Sequence, residues 1–489
     1  MRSLSILSLL FGVALAIPNP VPPHPMITQA PQLDSRDFLE DLDHKVHSIV
    51  NSLGSTVSGF IASGVPQFFQ SLPIGEEAVV SMVSSVVGSV ANIVDIITND
   101  TKPTQVLNLP AYGNWTKAQK WNVFVHGNVY KLPGIPSVIL EGMADMFLIA
   151  ETKFKDLKTG QQQQAKNMTA SILVIQEKNV TVTMEFNQAA GTQTLTLPGF
   201  TTVQGDFGEW VSLENITTST GYLLPGNATN KIQTLEMHAT GTDTGNATAY
   251  LVPPQGFTII SDIDDVLREA RIWDFNQGVL NSFANTFGPW MNMPEIYAHW
   301  ASAIPDAHFH YLTTTPEQVT RNYMEFVFAH YPPGSFDSRP LRYQDVDAVL
   351  SARKFLLDRI FETFPQRKFI LVGDVSNTDI MKAYPQLAKE HPGSVQCILL
   401  RNTSSADASF KFPYDTSGFS GLETKQYMFF RTPDDLKGLN FANGECVNRA
   451  VPQNVTFGVQ GVSGGVAVFR SGMWAMTAAV LATVLAMWY

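Results

Sequence analysis

The sequence predicts an α/β chain: a Rossmann-like domain built on a parallel sheet with a small cap, preceded by a β-sandwich-like domain and an N-terminal helical segment. Three observations carry this. From residue 255 onward, continuous apolar runs alternate with helix-like stretches, the pattern of a parallel sheet covered on both faces. From 105 to 253, short runs of alternating polarity, rich in β-branched residues, are separated by Gly, Asn and Thr clusters, which reads as an antiparallel sandwich. Between 36 and 100, apolar residues recur at helical spacing.

The chain has 489 residues and a net charge of −11. That length holds two or more domains with sizeable cores. The charge balance lacks the basic stripe that nucleic-acid binding needs.

Residues 1–16 carry Arg2, an apolar run and Ala14-Leu15-Ala16, the layout of a secretory signal peptide. A Pro-rich linker follows over 17–35. In the helical segment, 36–100, GEEAVVSMVSSVVGSVANIVDIIT opens with two acids and then places Val79, Met82, Val83, Val86, Val90 and Val94 on one face. In the β-rich domain, 105–253, the strands are WNVFVHGNVYKL, SILVIQ, VTVTMEF, TLTLPGF, EWVSLE, TLEMHA and ATAYLVP, and Gln161 to Gln164 fall in a polar loop. Nine Asn-x-Ser/Thr triplets occur, at Asn99, Asn114, Asn167, Asn179, Asn215, Asn227, Asn246, Asn402 and Asn454. Behind a signal peptide they predict N-linked glycans. The two cysteines, Cys397 and Cys446, can pair in an oxidising compartment, or Cys397 can serve as a buried strand residue.

A third region spans 254–432. Its strands FTII, HFHYL, KFILV and SVQCILL end in Asp262-Ile263-Asp264-Asp265, Thr313-Thr314-Thr315, Gly373-Asp374 and Arg401-Asn402. Ligands of such sheets bind beyond the carboxyl ends of the strands. Carboxylates crowded there repel one another and lose hydration, which a cation offsets, and hard oxygen ligands suit Mg²⁺. Spacing by two lets Asp262 attack phosphorus while Asp264 protonates the leaving oxygen and then activates water. The carboxylate of Asp265 and the hydroxyls of Thr314 and Thr315 read as loop caps. An extension over 433–465 leads to 466–489, where small residues at Ser463 to Gly465 precede an apolar tail. This is a GPI-type signal or a tail anchor.

DIDDV resembles the DxDx[TV] motif of haloacid-dehalogenase-like (HAD) hydrolases. More narrowly, GFTIISDIDDVLREARI, NSFANTFGPWMNMPEIYAHWA, HFHYLTTTP and FPQRKFILVGDVSNTD, in that order, resemble the catalytic domain of the fungal actin-patch-type phosphatidate phosphatases, relatives of the lipins. The resemblance implies a HAD-type fold, Mg²⁺, and hydrolysis of phosphatidate or a related lipid phosphomonoester at a membrane surface through an aspartyl phosphate. It implies Asp262 as nucleophile, Asp264 as general acid/base and Thr313 as phosphate holder. The third-motif cation falls on Lys354, with Arg353 an equal fit by counting. Asp262, Asp264 through its backbone carbonyl, Asp374 and Asp379 would hold the metal. TTTPE stands where the family has SxSPW, and GDVSNTD where it has GDSGExD. The segment from Val266 to His308 is too short for a large cap and holds Trp273, Phe275, Phe283, Phe287, Trp290 and Trp300, aromatic residues that suit an interfacial substrate or a core. The alternatives are a phosphatase for soluble phosphomonoesters and an inactive cell-surface binding protein on the same scaffold.

Overall fold

The computed structural model describes residues 102–460, apart from 136, 149–152, 189–190, 215–222, 340–345, 406–411 and 454. The expected signal peptide, Pro-rich linker, helical segment and C-terminal anchor, with Asn99, Asn215 and Asn454, lie outside the described residues.

The first half of this region is one hydrogen-bonded sheet. Its strands are β1 (Thr104–Asn108), β2 (Ala111–Trp115), β3 (Trp121–Lys131), β4 (Ile175–Gln176), β5 (Thr181–Gln188), β6 (Gly191–Phe200), β7 (Asp206–Ser212), β8 (Gln233–Ala239) and β9 (Asn246–Val252). They run in the order β1-β3-β2-β9-β8-β5-β6, with β4 and β7 also on β3. Where a sandwich of two antiparallel sheets is expected, a parallel pairing of β2 with β9 joins the strands into one. Val123, Val125, Phe186, Val211, Met237 and Leu251 pack together on its inner side.

Two helices interrupt this sheet, α1 (Ser137–Leu148) and α2 (Thr159–Ile172). The four glutamines read as a loop lie in α2, and of SILVIQ only Ile175–Gln176 is strand. Glutamine is a good helix former, and Ala165, Met168, Thr169 and Ile172 supply the buried face at spacings of three and four. That face packs on α1 and on Val279, Phe283 and Ala284.

The second half is a six-stranded parallel sheet of β10 (Phe257–Ser261), β11 (His308–Pro316), β12 (Ser335–Arg339), β13 (Lys368–Asp374), β14 (Val395–Arg401) and β16 (Tyr427–Phe430), ordered β12-β11-β10-β13-β14-β16. Between β10 and β11 runs α3 (Phe275–Val279), a single π turn (Leu280–Ala284) and α4 (Met293–Ala303). The other crossovers carry α5 (Glu317–His330), α6 (Val346–Thr363) and α7 (Thr378–Glu390). Adjacent strand residues face opposite layers. Ile260, Leu371, Ile398 and Leu400 meet Leu356, Ile360, Tyr384 and Leu387 of α6 and α7. Ile259, Ile370, Val372 and Leu399 meet Ile296, Trp300, Tyr323 and Phe326 of α4 and α5. Burial on both faces explains the uninterrupted apolar runs. β15 (Tyr414–Asp415) and β17 (Val459–Gln460) pair beside this sheet, and a Cys397–Cys446 disulfide ties β14 to the C-terminal extension, with Cα atoms 5.4 Å apart.

Among the described residues no helix is long and apolar enough to cross a membrane. Of the aromatic residues between β10 and β11, Trp273, Phe283, Trp290 and Trp300 are buried. Trp290 lies beneath Arg401, and Trp300 against Phe441. They are core, so they do not form the substrate-facing aromatic surface considered from the sequence.

Candidate active site

In the parallel sheet the strand order reverses beside β10, where chains of this kind leave a crevice at the carboxyl ends. Asp262 follows β10 directly, and its N–H donates to the Val372 carbonyl at 3.0 Å. This bond keeps Asp262 beside β13, whose last residue is Asp374. Asp262, Asp264, Asp265 and Asp374 are all buried.

Each carboxylate has its own surroundings. Asp265 sits at φ 59°, a left-handed conformation that Asp tolerates through local hydrogen bonds. Its Oδ1 accepts from the N–H groups of Ala270 and Arg271 at 3.0 and 2.8 Å, and Oδ2 from that of Ile272 at 3.2 Å. Burial pushes this carboxyl up to about 6, against the pull of Arg401. Asp265 is thus the loop cap read from the sequence. Asp264 accepts from Arg268 and Tyr323. Asp262 accepts from Arg353 Nη2 at 3.1 Å. Burial raises the Asp262 carboxyl above its usual range, Arg353 opposes this, and Asp264 adds to it.

Asp374 Oδ2 accepts from the Ser376 N–H at 2.6 Å, from the Ser376 hydroxyl, and from Thr403 Oγ1 at 3.4 Å. Its Oδ1 is buried without a partner. Burial, then Asp265 and Asp262, push this carboxyl well above its ordinary value. Asp379 lies in the first turn of α7, which Asn377 caps by accepting from the N–H groups of Asp379 and Ile380. Burial raises Asp379 to about 6, and Arg353 opposes the rise. Thr313 is buried inside β11, where Oγ1 donates to Thr315 Oγ1 at 3.0 Å and accepts from the Thr315 N–H at 3.1 Å.

The cation of the site requires a correction. Lys354 turns outward on α6 and pairs with Asp358 and Glu390 at 2.6 and 2.9 Å. Arg353, one residue earlier, is buried against Asp262. A step of one residue rotates a side chain about 100° around a helix axis, so only one of the two can face the sheet. Asp358, Glu390 and His391 also lie close enough to share a metal ion, but the Lys354 ammonium already pairs with two of them and they sit on the outer surface. Sequence reasoning missed Arg268, Tyr323 and Arg401. Arg268 stands four residues after Asp264, a spacing that hints at their pairing; Tyr323, on α5, has no local signal.

Does this set of residues fit a divalent cation? Arg268, Arg353 and Arg401 are each matched to one carboxylate, those of Asp264, Asp262 and Asp265. Asp374 pairs with no cation among the described residues, and its bare oxygen lies in a site of buried carboxylates. An unpaired buried carboxylate is costly unless a cation accompanies it, and an all-oxygen donor set suits a hard ion. The residues fit.

Two comparisons bear on this region. The family model described as "Phosphatidate phosphatase APP1, catalytic domain" matches residues 257–402, which run from the start of β10 to just beyond β14. Phosphatidate phosphatase APP1 of Saccharomyces cerevisiae is 26% identical over 165 residues, covering 32% of this chain and 28% of that protein. The chain therefore matches less than a third of that relative's length. Residues 257–402, with the aspartates that follow β10 and end β13 among them, are similar to the catalytic domain of APP1-type phosphatidate phosphatases.

Proposed function

We propose that the chain is a Mg²⁺-dependent phosphoric monoester hydrolase that converts phosphatidate, or a related lipid phosphomonoester, to diacylglycerol and phosphate. The observation that carries the reading is that Asp262 and Asp374 lie near each other at the ends of neighbouring parallel strands, with one Asp374 oxygen left bare. Asp262, the Asp264 carbonyl, Asp374 and Asp379 would hold the ion. When bound, Mg²⁺ supplies positive charge that lets an anionic nucleophile approach an anionic phosphate. Asp262 Oδ attacks phosphorus and the bond to the leaving oxygen breaks. Asp264 gives that oxygen its proton and then takes one from the water that releases phosphate. Thr313 holds the phosphate, and Arg353 keeps Asp262 oriented. Its buried Nε and Nη1 atoms, which have no protein partner, suit phosphate oxygens.

The same reading puts the protein on the secretory route and at the cell surface, where the membrane supplies its substrate. A disulfide suits an oxidising compartment, and Asn167, Asn179, Asn227 and Asn246 are exposed glycan acceptors, whose occupancy a deglycosylation mass shift would read out.

The test is a substrate panel with Mg²⁺ and EDTA controls. Phosphate release from phosphatidate or lysophosphatidate in mixed micelles should exceed that from soluble sugar phosphates and vanish with EDTA. Asp262→Asn and Asp264→Asn should each lower it by at least about 10²-fold, the small end of a general-acid contribution. A preference for soluble esters keeps the phosphatase and rejects the lipid. Release from no ester favours the binding protein on an inactive scaffold.

A further inference from the structure

Asp264 is bound by two residues that lie outside the DxDx[TV] motif. Arg268 is 1% exposed. Its Nε and Nη2 both lie 2.7 Å from Asp264 Oδ1. Nη1 donates to the Asn281 carbonyl at 2.8 Å, and Nη2 also reaches Ser282 Oγ at 3.2 Å and the Tyr323 hydroxyl at 3.1 Å. The guanidinium lies 4.0 Å from the Phe287 ring centre and 5.0 Å from that of Tyr323. Tyr323, itself 1% exposed, donates to Asp264 Oδ2 at 2.9 Å, with Oδ1 at 3.2 Å. Burying a guanidinium is expensive, and this one is held on every side with its fork aimed at one carboxylate.

We propose that Arg268 and Tyr323 are positioning residues that act through Asp264, making it the general acid for esters whose leaving group is a poor one; the inference rests on the phosphatase reading above. A guanidinium has donors and no lone pair, so Asp264 Oδ1, facing two of its N–H groups, has no room for a proton. Oδ1 is thus occupied by the guanidinium, and Oδ2 is the oxygen left to exchange a proton with the ester. In the first half-reaction the Asp262 Oδ–P bond forms, the P–OR bond breaks, and the Oδ2 proton moves to the departing oxygen. Asp264 is then a carboxylate, and Arg268 already neutralises it. In the second half-reaction the water oxygen attacks phosphorus and its proton returns to Oδ2. The P–Oδ bond to Asp262 breaks and inorganic phosphate leaves. Tyr323, bonded to both Arg268 and Asp264, fixes the direction in which Oδ2 faces. An alkoxide, such as the glycerol oxygen of a lipid phosphate, needs that proton as it departs; a nitrophenolate does not.

The experiment is a leaving-group series on the whole protein with Mg²⁺: butyl, phenyl and p-nitrophenyl phosphate, read as kcat/KM, which reports the step that breaks the P–OR bond. Tyr323→Phe keeps the ring and removes only the hydroxyl; Arg268→Lys keeps the charge and removes the fork. Tyr323→Phe should lower kcat/KM for butyl phosphate by about 10-fold and Arg268→Lys by about 10², within the range of general-acid contributions. Both should change p-nitrophenyl phosphate by less than about threefold. In an Asp264→Asn background, Tyr323→Phe should have no further effect, because the two act as one unit. Equal losses on all three esters, or no loss, overturn the proposal, and thermal unfolding of Tyr323→Phe shows whether an equal loss comes from the fold. A wild-type protein that hydrolyses neither these esters nor phosphatidate in mixed micelles overturns the phosphatase reading and this inference with it. Wild-type turnover with an unchanged leaving-group dependence in the variants overturns the inference alone.

Discussion

Arg353 places its guanidinium 3.1 Å from Asp262 at a position that is 2% exposed. Such a pair draws its value from its partner, because either charge left alone in the interior is strongly unfavourable. Burial works against the charged form of Arg353, and Asp262 more than restores it. Lys354 makes two bonds as short, but in partial contact with water, where pairs of this kind contribute about 0–1 kcal/mol. The two cations are adjacent and chemically alike, yet their expected effects differ widely. Arg353→Met should reduce phosphate release by about 10²-fold or more, the usual loss of one oriented charge at a phosphoryl site. Lys354→Ala should stay within about twofold of the parent, with under about 1 kcal/mol of stability lost. Steady-state assays of the two variants, with urea unfolding beside them, decide it. Equal losses would remove Arg353 from the site.

The position of Asp374 and Asp379 depends on how closely α7 approaches β13. Gly373 allows the approach: a Cβ there would lie 2.8 and 2.9 Å from Ile380 side-chain carbons and 3.1 Å from the Tyr384 ring. Ile380 and Tyr384 are both buried in the core, so neither can swing aside. Tyr384 also donates its hydroxyl to the Val372 carbonyl at 3.2 Å, and Asn377 fixes the start of the helix. Gly373→Ala must therefore push α7 away from β13, carrying Asp379 with it. An overpacked core loses roughly 1–3 kcal/mol, and urea unfolding should show that loss. Activity should fall further than stability implies, so that raising the Mg²⁺ concentration restores part of it. A variant of parental stability and activity would mean that helix and strand adjust without strain.

The two sheets meet around one buried polar cluster. Asp337 of β12 accepts from Arg359 at 2.9 Å, faces His126 of β3 at 2.9 Å and His310 of β11 at 3.5 Å, and accepts from the Tyr112 hydroxyl at 3.3 Å. His308 and His310 share the Ser335 hydroxyl at 2.8 Å each. The Phe336 N–H donates to the Pro110 carbonyl across the same junction. Burial pushes His310 down to about 4, against the pull of Asp337, and depresses His308 as well. The unfolded chain takes up these protons below about 6.5, whereas the folded protein does not. Stability therefore falls as pH drops from about 6.5 towards 4, and this contribution is fully present above that window. Asp337 is held below the usual carboxylate range by Arg359 and His126, against burial, so its own contribution is lost only at lower pH. One such histidine loses about 1.4 kcal/mol per pH unit, so between pH 7.5 and pH 5 urea unfolding of the parent should lose roughly 2 kcal/mol relative to His310→Asn. His310→Asn should flatten that slope. The same pH dependence in the parent and in His310→Asn would show that the cluster opens to water.

Much of this was legible along the chain, for reasons that are local. The runs before Asp262, Asp374 and Arg401 are mostly apolar because each of those strands is covered on both faces, and that burial leaves its mark within five to seven consecutive residues. The DxD spacing lies within a single turn of backbone, and Asp265 capped its own loop as its residue type implies. The choice between Arg353 and Lys354 was not legible, since it depends on which side of α6 meets the sheet, and its apolar residues leave room for either. Neither was the continuity of the first sheet: the β2–β9 pairing joins residues more than a hundred positions apart, and no local pattern encodes a partner that distant. Tyr323 reaches Asp264 from 59 residues away and reads in sequence as one more apolar position of a helix. Whether Cys397 paired or stayed a plain core residue likewise depended on packing, which brought Cys446 beside it. A short-range pattern records how much of an element is buried and where it stops; the partner each side chain meets is set by packing among elements far apart in the chain.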